Sequence, residues 1–251
     1  MLLAKNIFKT YANSAAPILN GLNLSLDPGD FCVVIGSNGS GKSTLLKALS
    51  GECAIDKGQI FMNGQEITAR SYQERAKLIS SVSQNTAQGT IGQMTLMENL
   101  ILSQLRGQKA KYSLINRKDP ALRQTVLDLN PLLEPFLDKP LDNLSGGQKQ
   151  IVATIMATLN RPHLLLLDEH CSALDPKAQK IVMDFTSKTI KKNQITALMV
   201  THDLADALHY GNRLMMLHHG NIILDVNKEQ KDALSISQLL LLFQTSQEEA
   251  A

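Results

Sequence analysis

Between two apolar runs stands the sequence Gly36-Ser37-Asn38-Gly39-Ser40-Gly41-Lys42-Ser43-Thr44. The run Phe31–Ile35 before it is typical of a buried strand, and the run Leu45–Leu49 after it has helical spacing. A strand, a glycine-rich turn with the spacing G-x-x-x-x-G-K-S and a helix, in this order, form a phosphate-binding loop. The stretch therefore predicts a nucleotide-binding core of the P-loop type.

The composition of this loop fits its chemistry. Glycines let successive backbone N–H groups point at an anion without Cβ clashes, and a helix N-terminus adds positive potential. We expect Lys42 to place its charge near the β- and γ-phosphates and Ser43 to ligate Mg²⁺. An ordinary glycine-rich loop is the simpler alternative, which the complete motif in this context disfavours.

A second motif joins an apolar strand to two carboxylates. The run Leu164–Leu167 is followed by Asp168 and Glu169, which face differently because strand side chains alternate in direction. We assign Asp168 to the Mg²⁺ shell and Glu169 to the attacking water, as general base or orienting group, because phosphoryl transfer needs this division of roles. A solvated acidic turn after a core strand is the alternative.

The remaining pattern alternates short apolar runs with longer amphipathic stretches, which predicts an α/β fold with a mostly parallel sheet. Core strands are expected at Phe31–Ile35, His163–Leu167, Thr196–Val200 and Arg213–Leu217. A flanking antiparallel layer is expected to contain Ile18–Leu26 and Ile60–Asn63.

Helical stretches interrupted by prolines replace this alternation between residues 89 and 144. The prolines are Pro120, Pro131, Pro135 and Pro140. We therefore predict one domain over residues 1–251, with a nucleotide-binding core at 1–88 and 145–226, a helical insertion at 89–144 and a helical tail at 227–251.

Composition excludes several other functions. The net charge is only +2, without a long basic run, and the aromatic residues are not interleaved with Lys or Arg, so no nucleic-acid partner is expected. Cys32, Cys53 and Cys171 lie far apart without a C-x-x-C pair, which disfavours a disulfide framework or a zinc site. No apolar run reaches the ~18 residues that a membrane span needs, so we expect a cytosolic chain.

A P-loop and a strand-end Asp leave kinases, GTPases and helicases open. Leu144-Ser145-Gly146-Gly147-Gln148 narrows the choice, since it resembles the signature motif of the ATP-binding-cassette (ABC) ATPases, whose other motifs follow here in order. The resemblance spans Leu2 to Asp225. It implies the ABC ATPase fold: a P-loop core with a mostly parallel sheet, a flanking antiparallel β layer and an inserted helical subdomain.

The resemblance implies roles for residues that would carry little information alone. Tyr11 matches the aromatic residue that stacks on adenine, Gln84 the glutamine that touches Mg²⁺ or water, and His202 the switch histidine at the γ-phosphate. Ser172–Asp175 resembles the D-loop. Five other histidines have no such match and are interpreted as surface or loop residues: His163, His170, His209, His218 and His219.

The resemblance also implies partners. In the family the signature motif closes the ATP site of a second subunit, so Ser145, Gly147 and Gln148 are expected to contact ATP bound at Lys42 of another ABC ATPase subunit. We expect that subunit to be an identical chain in a head-to-tail dimer. Transmembrane permease subunits on separate chains and, indirectly, an extracytoplasmic substrate-binding protein complete such a transporter. ATP and Mg²⁺ are the expected ligands, and the cytoplasmic face of the inner membrane is the expected location.

The residues in and around these motifs resemble those of bacterial importer subunits, some of which belong to transporters for aromatic amino acids. One departure from the family is His170-Cys171 after Glu169, where Pro-Thr is frequent. The competing function is a soluble ABC ATPase that remodels a cytosolic scaffold, as in iron–sulfur cluster assembly. The segment Asn85–Leu100 discriminates between the two, because its apolar residues Ile91, Met94, Leu96 and Met97 either line a groove for a partner's helix or pack inside.

Overall fold

The computed structural model describes residues 1–106 and 119–248. Residues 107–118 of the predicted insertion and 249–251 of the predicted tail lie outside the described residues. Across the described ranges, every helix is too short or too polar to span a bilayer.

The strands of the described ranges are β1 (Leu2–Lys9), β2 (Leu19–Leu26), β3 (Phe31–Ile35), β4 (Lys57–Met62), β5 (Gln65–Glu66), β6 (Ile79–Ser83), β7 (Leu164–Asp168), β8 (Ala197–Val200), β9 (Arg213–His218) and β10 (Asn221–Asn227). The α-helices are α1 (Lys42–Ser50), α2 (Tyr72–Arg75), α3 (Leu96–Gln104), α4 (Pro120–Leu129), α5 (Gly146–Thr158), α6 (Pro176–Asn193), α7 (Leu204–His209), α8 (Lys228–Asp232) and α9 (Ile236–Glu248). Short 3₁₀ segments lie at Thr86–Gln88, Pro131–Phe136 and Leu141–Asn143.

Six strands form the central sheet in the order β10-β9-β3-β8-β7-β6. The strands from β9 to β6 run parallel, and β10 is antiparallel to β9. This confirms the predicted mostly parallel sheet. The four core strands that the sequence predicts lie within one residue of β3, β7, β8 and β9 at both ends.

The central sheet is covered on both faces, which explains its nearly continuous apolar strands. Along β3, Phe31, Val33 and Ile35 join one core with α3, α5 and α6, while Cys32 and Val34 join a second core with α1. The second core also contains the inner face of a separate antiparallel sheet of order β2-β1-β4-β5. The predicted flanking layer is therefore present, and α1 is held between the two sheets.

Prolines mark where helical segments begin in the stretch that the sequence predicts to be helical. Pro120 is the first residue of α4 and Pro131 the first of a 3₁₀ segment, where the missing N–H costs no hydrogen bond. Leu96 and Met97 of α3 are buried in the main core, whereas Ile91 is 49% exposed. Leu96 and Met97 therefore pack inside, while the exposed Ile91 leaves the partner-groove alternative a prediction for that residue.

Candidate active site

Three strand ends are level at one edge of the central sheet. Asp168, the last residue of β7, lies opposite Ser83 of β6 and Val200 of β8. Gln84 follows β6 directly and His202 lies two residues beyond β8. The strand β8 pairs with β7 on one side and with β3 on the other, and all three run parallel. The glycine-rich loop that follows β3 therefore lies at the same edge of the sheet.

Steric contacts explain two glycines of that loop. A Cβ at Gly36 would lie 2.3 Å from the carbonyl oxygen of Leu217. Gly41 has φ of +106°, and a Cβ there would lie 2.7 Å from the carbonyl oxygen of Ile18. The loop is thus enclosed by β9 on one side and by the start of β2 on the other, while Asn38 and Gly39 form its exposed tip.

Lys42 is folded back into the loop. Its Nζ donates to the carbonyl oxygens of Gly36 at 2.8 Å and Ser37 at 2.9 Å, and the side chain is buried. Burial lowers the pKa of Lys42, and the nearby carboxylates of Glu169 and Asp168 oppose that shift. A phosphate group can therefore replace neutral carbonyl oxygens with a charged acceptor for the same ammonium group.

The N-terminus of α1 is open to an anion. Gly41 occupies the capping position, and no side chain caps the helix there. Ser43 and Thr44 are at least partly exposed in the first turn, and the buried Oγ of Ser40 has no hydrogen-bond partner. Unpaired N–H groups, the helix dipole and an unsatisfied hydroxyl together fit a bound phosphate.

The two carboxylates after β7 have different surroundings. Burial raises the pKa of Asp168, and the charge of Glu169 raises it further. Glu169 has φ of +45°, in the left-handed region, and its Oε2 lies 3.4 Å from Nδ1 of His202. The turn is held by Ser172, whose N–H and Oγ both donate to the carbonyl oxygen of Glu169 at 3.0 and 2.9 Å.

Two predicted residues sit at the margins of this edge. Gln84 is exposed just past β6. Tyr11 is 40% exposed in the loop between β1 and β2. That loop ends at Ile18, whose carbonyl oxygen faces Gly41, so Tyr11 is carried by a loop rooted beside the start of α1.

The signature stretch forms the first turn of α5. Ser145 and Gln148 make a capping box, in which Oγ of Ser145 accepts from the Gln148 N–H at 3.3 Å and Oε1 of Gln148 accepts from the Ser145 N–H at 2.9 Å. A Cβ at Gly146 would lie 3.2 Å from Cδ2 of Leu174. The signature and the Ser172–Asp175 segment are therefore neighbours in the fold.

His170 lies in a turn, but its interpretation as a surface residue is wrong. His170 is 2% exposed, and its Nε2 lies 3.3 Å from Oγ1 of Thr186 on α6. Burial lowers its pKa to about 4, so the ring is neutral at pH 7. Its position next to Glu169 offered no periodic pattern from which burial could be inferred.

Sequence reasoning also missed Gln150. This side chain is 2% exposed, and its Nε2 donates to the carbonyl oxygen of Ser83 at 3.1 Å. It links α5, which begins at the signature, to the end of β6 just before Gln84. The only available signal was an amide placed directly before the apolar Ile151-Val152 on a helix.

The donor set fits a Mg²⁺ ion. Mg²⁺ prefers oxygen ligands and is usually held by one or two protein oxygens together with substrate phosphates. The hydroxyl of Ser43, the carboxylate of Asp168 and the amide of Gln84 are oxygen donors on the segments that meet at this edge. No cluster of three His, Cys, Asp or Glu side chains suited to a metal occurs in the described ranges.

Comparisons with known proteins identify the family of this chain. The family profile described as ABC transporter matches residues 19–172. Over 97% of its length the chain is 40% identical to a tyrosine transport ATP-binding protein of Clostridioides difficile strain R20291, of which 99% is covered. It is 34% identical over 87% of its length to the spermidine/putrescine import ATP-binding protein PotA of Legionella pneumophila strain Philadelphia 1, and the match spans 57% of that protein.

Solved structures give the same result. A dimeric, post-hydrolysis structure of the ATP-binding cassette MJ0796 bound to ADP and Pi matches with a TM-score of 0.76 and 29% identity, covering 91% of this chain and 99% of that one. The cassette MJ1267 matches with a TM-score of 0.81 and 25% identity, covering 97% and 98%.

The chain belongs to the ABC transporter family. Within that family it is an ATP-binding and ATP-hydrolysing subunit, and its fold is the α/β P-loop fold of the ABC cassettes.

Proposed function

We propose that this chain is the ATPase subunit of a bacterial solute importer and that the solute is an amino acid. The carrying observation is the convergence of Lys42, Asp168, Glu169 and His202 at neighbouring strand ends. The relative named for tyrosine transport supports the solute class, because its match with this chain covers almost the full length of both proteins. The protein then lies peripherally at the cytoplasmic face of the inner membrane.

In this proposal Lys42 exchanges the carbonyl oxygens of Gly36 and Ser37 for the β- and γ-phosphates of ATP. Ser43, Asp168 and Gln84 hold Mg²⁺. When bound, the ion neutralises charge on the phosphate oxygens. Tyr11 stacks on the adenine ring, an interaction worth about 1–3 kcal/mol per base.

Glu169 and His202 act on the attacking water. Glu169 accepts the water proton or orients the water, and His202 donates a hydrogen bond to the γ-phosphate. Their separation of 3.4 Å between Oε2 and Nδ1 lets the histidine orient the carboxylate before the nucleotide arrives. Both side chains are partly exposed at the sheet edge, where a second subunit can cover them.

A second copy of the chain completes the site. Ser145, Gly147 and Gln148 of that copy contact the ATP held at Lys42, and the N-terminus of α5 adds its dipole. The dimeric form of the similar cassette MJ0796 supports this arrangement. In such an isologous dimer both ATP sites are equivalent.

A groove beside the site fits a permease segment. It has a volume of about 680 Å³ and is lined by α1, α3, α5 and the end of β6, with Asp168 among its lining residues. Ile91, Leu102 and Tyr72 supply partly exposed apolar surface in it. Asn99 fixes Ile91 by accepting from its N–H at 2.8 Å and donating to its carbonyl oxygen at 3.0 Å.

Affinity purification from detergent-solubilised native cells tests the transporter. We expect a polytopic membrane protein to co-purify in stoichiometric amount, together with reduced uptake of labelled tyrosine, and not of spermidine, when the chain is deleted. Recovery of soluble scaffold proteins alone would reject transport and leave the ATPase assignment standing.

A paired substitution tests the groove. Ile91→Glu places a charge on the apolar wall and should abolish co-purification of the membrane protein while the isolated chain keeps its ATPase activity. Leu132→Glu is the matched control, because Leu132 is 80% exposed on a different segment. Equal behaviour of the two variants would show that the groove is not the docking site.

A further inference from the structure

The loop that carries Tyr11 is closed at its base. The N–H of Ile18 donates to the carbonyl oxygen of Lys9 at 2.7 Å, so residues 10–17 project from the ends of β1 and β2. Within the loop, the N–H of Ser14 donates to the carbonyl oxygen of Tyr11 at 2.9 Å. The direction in which Tyr11 projects therefore depends on how Lys9 and Thr10 are held.

One carboxylate holds both of these residues. Oδ1 of Asp56 lies 3.1 Å from Nζ of Lys9, and Oδ2 accepts from the N–H of Thr10 at 2.6 Å. The N–H of Asp56 donates in turn to the carbonyl oxygen of Phe8 at 2.8 Å. Hydrogen bonds from Thr10 and Lys9 lower the pKa of Asp56, so the carboxylate stays ionised near neutral pH.

Lys9 links this carboxylate to the tyrosine ring. Its Nζ lies over the ring of Tyr11, 5.5 Å from the centroid, in cation–π geometry. The ring itself remains 40% exposed, which leaves area for a planar ligand. Asp56, Lys9 and Tyr11 form a chain of contacts that ends at the proposed base-stacking surface.

We propose that Asp56 is a positioning residue that orients Tyr11 for the nucleobase through Thr10 and Lys9. This inference rests on the proposed base-stacking role of Tyr11. Without Asp56 the Thr10 N–H and the Lys9 ammonium lose their common acceptor, and ordering the loop on nucleotide binding then costs conformational entropy. The effect is confined to ligands that carry a base.

Isothermal titration of the full-length chain with ATP and with inorganic triphosphate tests this selectivity. Asp56→Ala should weaken ATP binding about fivefold, and Tyr11→Ala about tenfold, with no change for triphosphate. Asp56→Asn should recover part of the loss, because its amide oxygen can still accept from Thr10. Asp56→Ala combined with Tyr11→Ala should bind ATP no more weakly than Tyr11→Ala alone.

Asp232→Ala is the matched control, because it removes the exposed ion pair between Lys228 and Asp232 far along the chain. It should leave both affinities unchanged. If Tyr11→Ala weakens ATP binding and Asp56→Ala does not, the inference is rejected and the base site stands. If Tyr11→Ala has no effect, both are rejected. Equal weakening of ATP and triphosphate by Asp56→Ala assigns it a general structural role and also rejects the inference.

Discussion

The helices α1 and α5 begin in opposite ways, although both are assigned to the same phosphate group. The N-terminus of α1 has glycine at the cap, no capping side chain and the ammonium of Lys42 turned into the loop. The N-terminus of α5 is closed by the reciprocal bonds of Ser145 and Gln148. Neither helix has an acidic residue in its first turn, so both keep an unopposed positive dipole end.

This difference gives the two helix ends different expected roles, namely ATP binding at α1 and closure of the dimer at α5. In the proposed mechanism the α1 end binds phosphate within one chain, because its N–H donors have no competing side chain. The α5 end is satisfied in the single chain, so its hydroxyl and remaining N–H groups offer only additional bonds to a nucleotide that another subunit already holds. ATP is then expected to bind first at α1 and to recruit α5 of the partner second.

The largest effect is expected at the α1 end. Lys42→Ala removes the only charged donor of the loop, so hydrolysis should fall to background and ATP binding should weaken between about 10-fold and 100-fold. Titration calorimetry and a phosphate-release assay measure the two quantities. Lys228→Ala, at an exposed lysine of α8, should leave both unchanged. Retained ATP binding in Lys42→Ala would mean that α1 is not the primary phosphate site.

Glu169→Gln separates turnover from binding. We expect ATP affinity to be kept and turnover to fall at least about 100-fold, because the amide cannot accept the water proton. Light scattering after size exclusion should then detect an ATP-dependent dimer. Glu134→Gln, at an exposed glutamate of a 3₁₀ segment, should behave as wild type. Unchanged turnover in Glu169→Gln would remove Glu169 from the mechanism.

The turn after β7, which contains His170, should make the stability of the fold sensitive to acid. His170 has its pKa lowered to about 4, against about 6.5 in an unfolded chain. The unfolded state thus binds more protons between these values, and stability falls as pH decreases through that window. From pH 7 to pH 5 the loss is about 2 kcal/mol, on an order-of-magnitude basis.

Urea unfolding at both pH values measures this loss, which His170→Gln should lack because glutamine does not titrate. His163→Gln, at an exposed histidine, should keep the pH dependence of the wild type. The same pH dependence in His170→Gln would show that other groups cause the acid sensitivity.

The smallest effect is expected at the α5 end. Ser145→Ala removes the cap, which costs about 1 kcal/mol of stability, and should weaken the ATP-dependent dimer while each chain keeps its own ATP affinity. Ser235→Ala is the matched control, because Ser235 and Gln238 form the same reciprocal bonds at α9. It should lose similar stability and leave the dimer intact. A weaker monomer affinity in Ser145→Ala would place α5 in the chain's own site.

The features that the sequence could predict share one property: each depends on residues that are close together in the chain. The strands β3, β7, β8 and β9 were predicted closely, because strands buried on both faces leave continuous apolar runs. The contacts of His170, Gln150 and Asp56 could not be predicted, because their partners Thr186, Ser83 and Thr10 are 16, 67 and 46 residues away. Contacts at that separation depend on which elements pack together.

The sequence by itself determined the phosphate loop and the two carboxylates after β7. A glycine-rich turn between a strand and a helix has its anion-binding geometry set by local backbone conformation and the helix dipole. Only the tertiary structure decided that Gln84, Glu169 and His202 share one edge with Lys42, because the strand order β3-β8-β7-β6 follows from packing between segments far apart in the chain. It also decided that the signature turn at Gly146 lies beside Leu174, because these two residues meet only when α5 packs near the turn after β7.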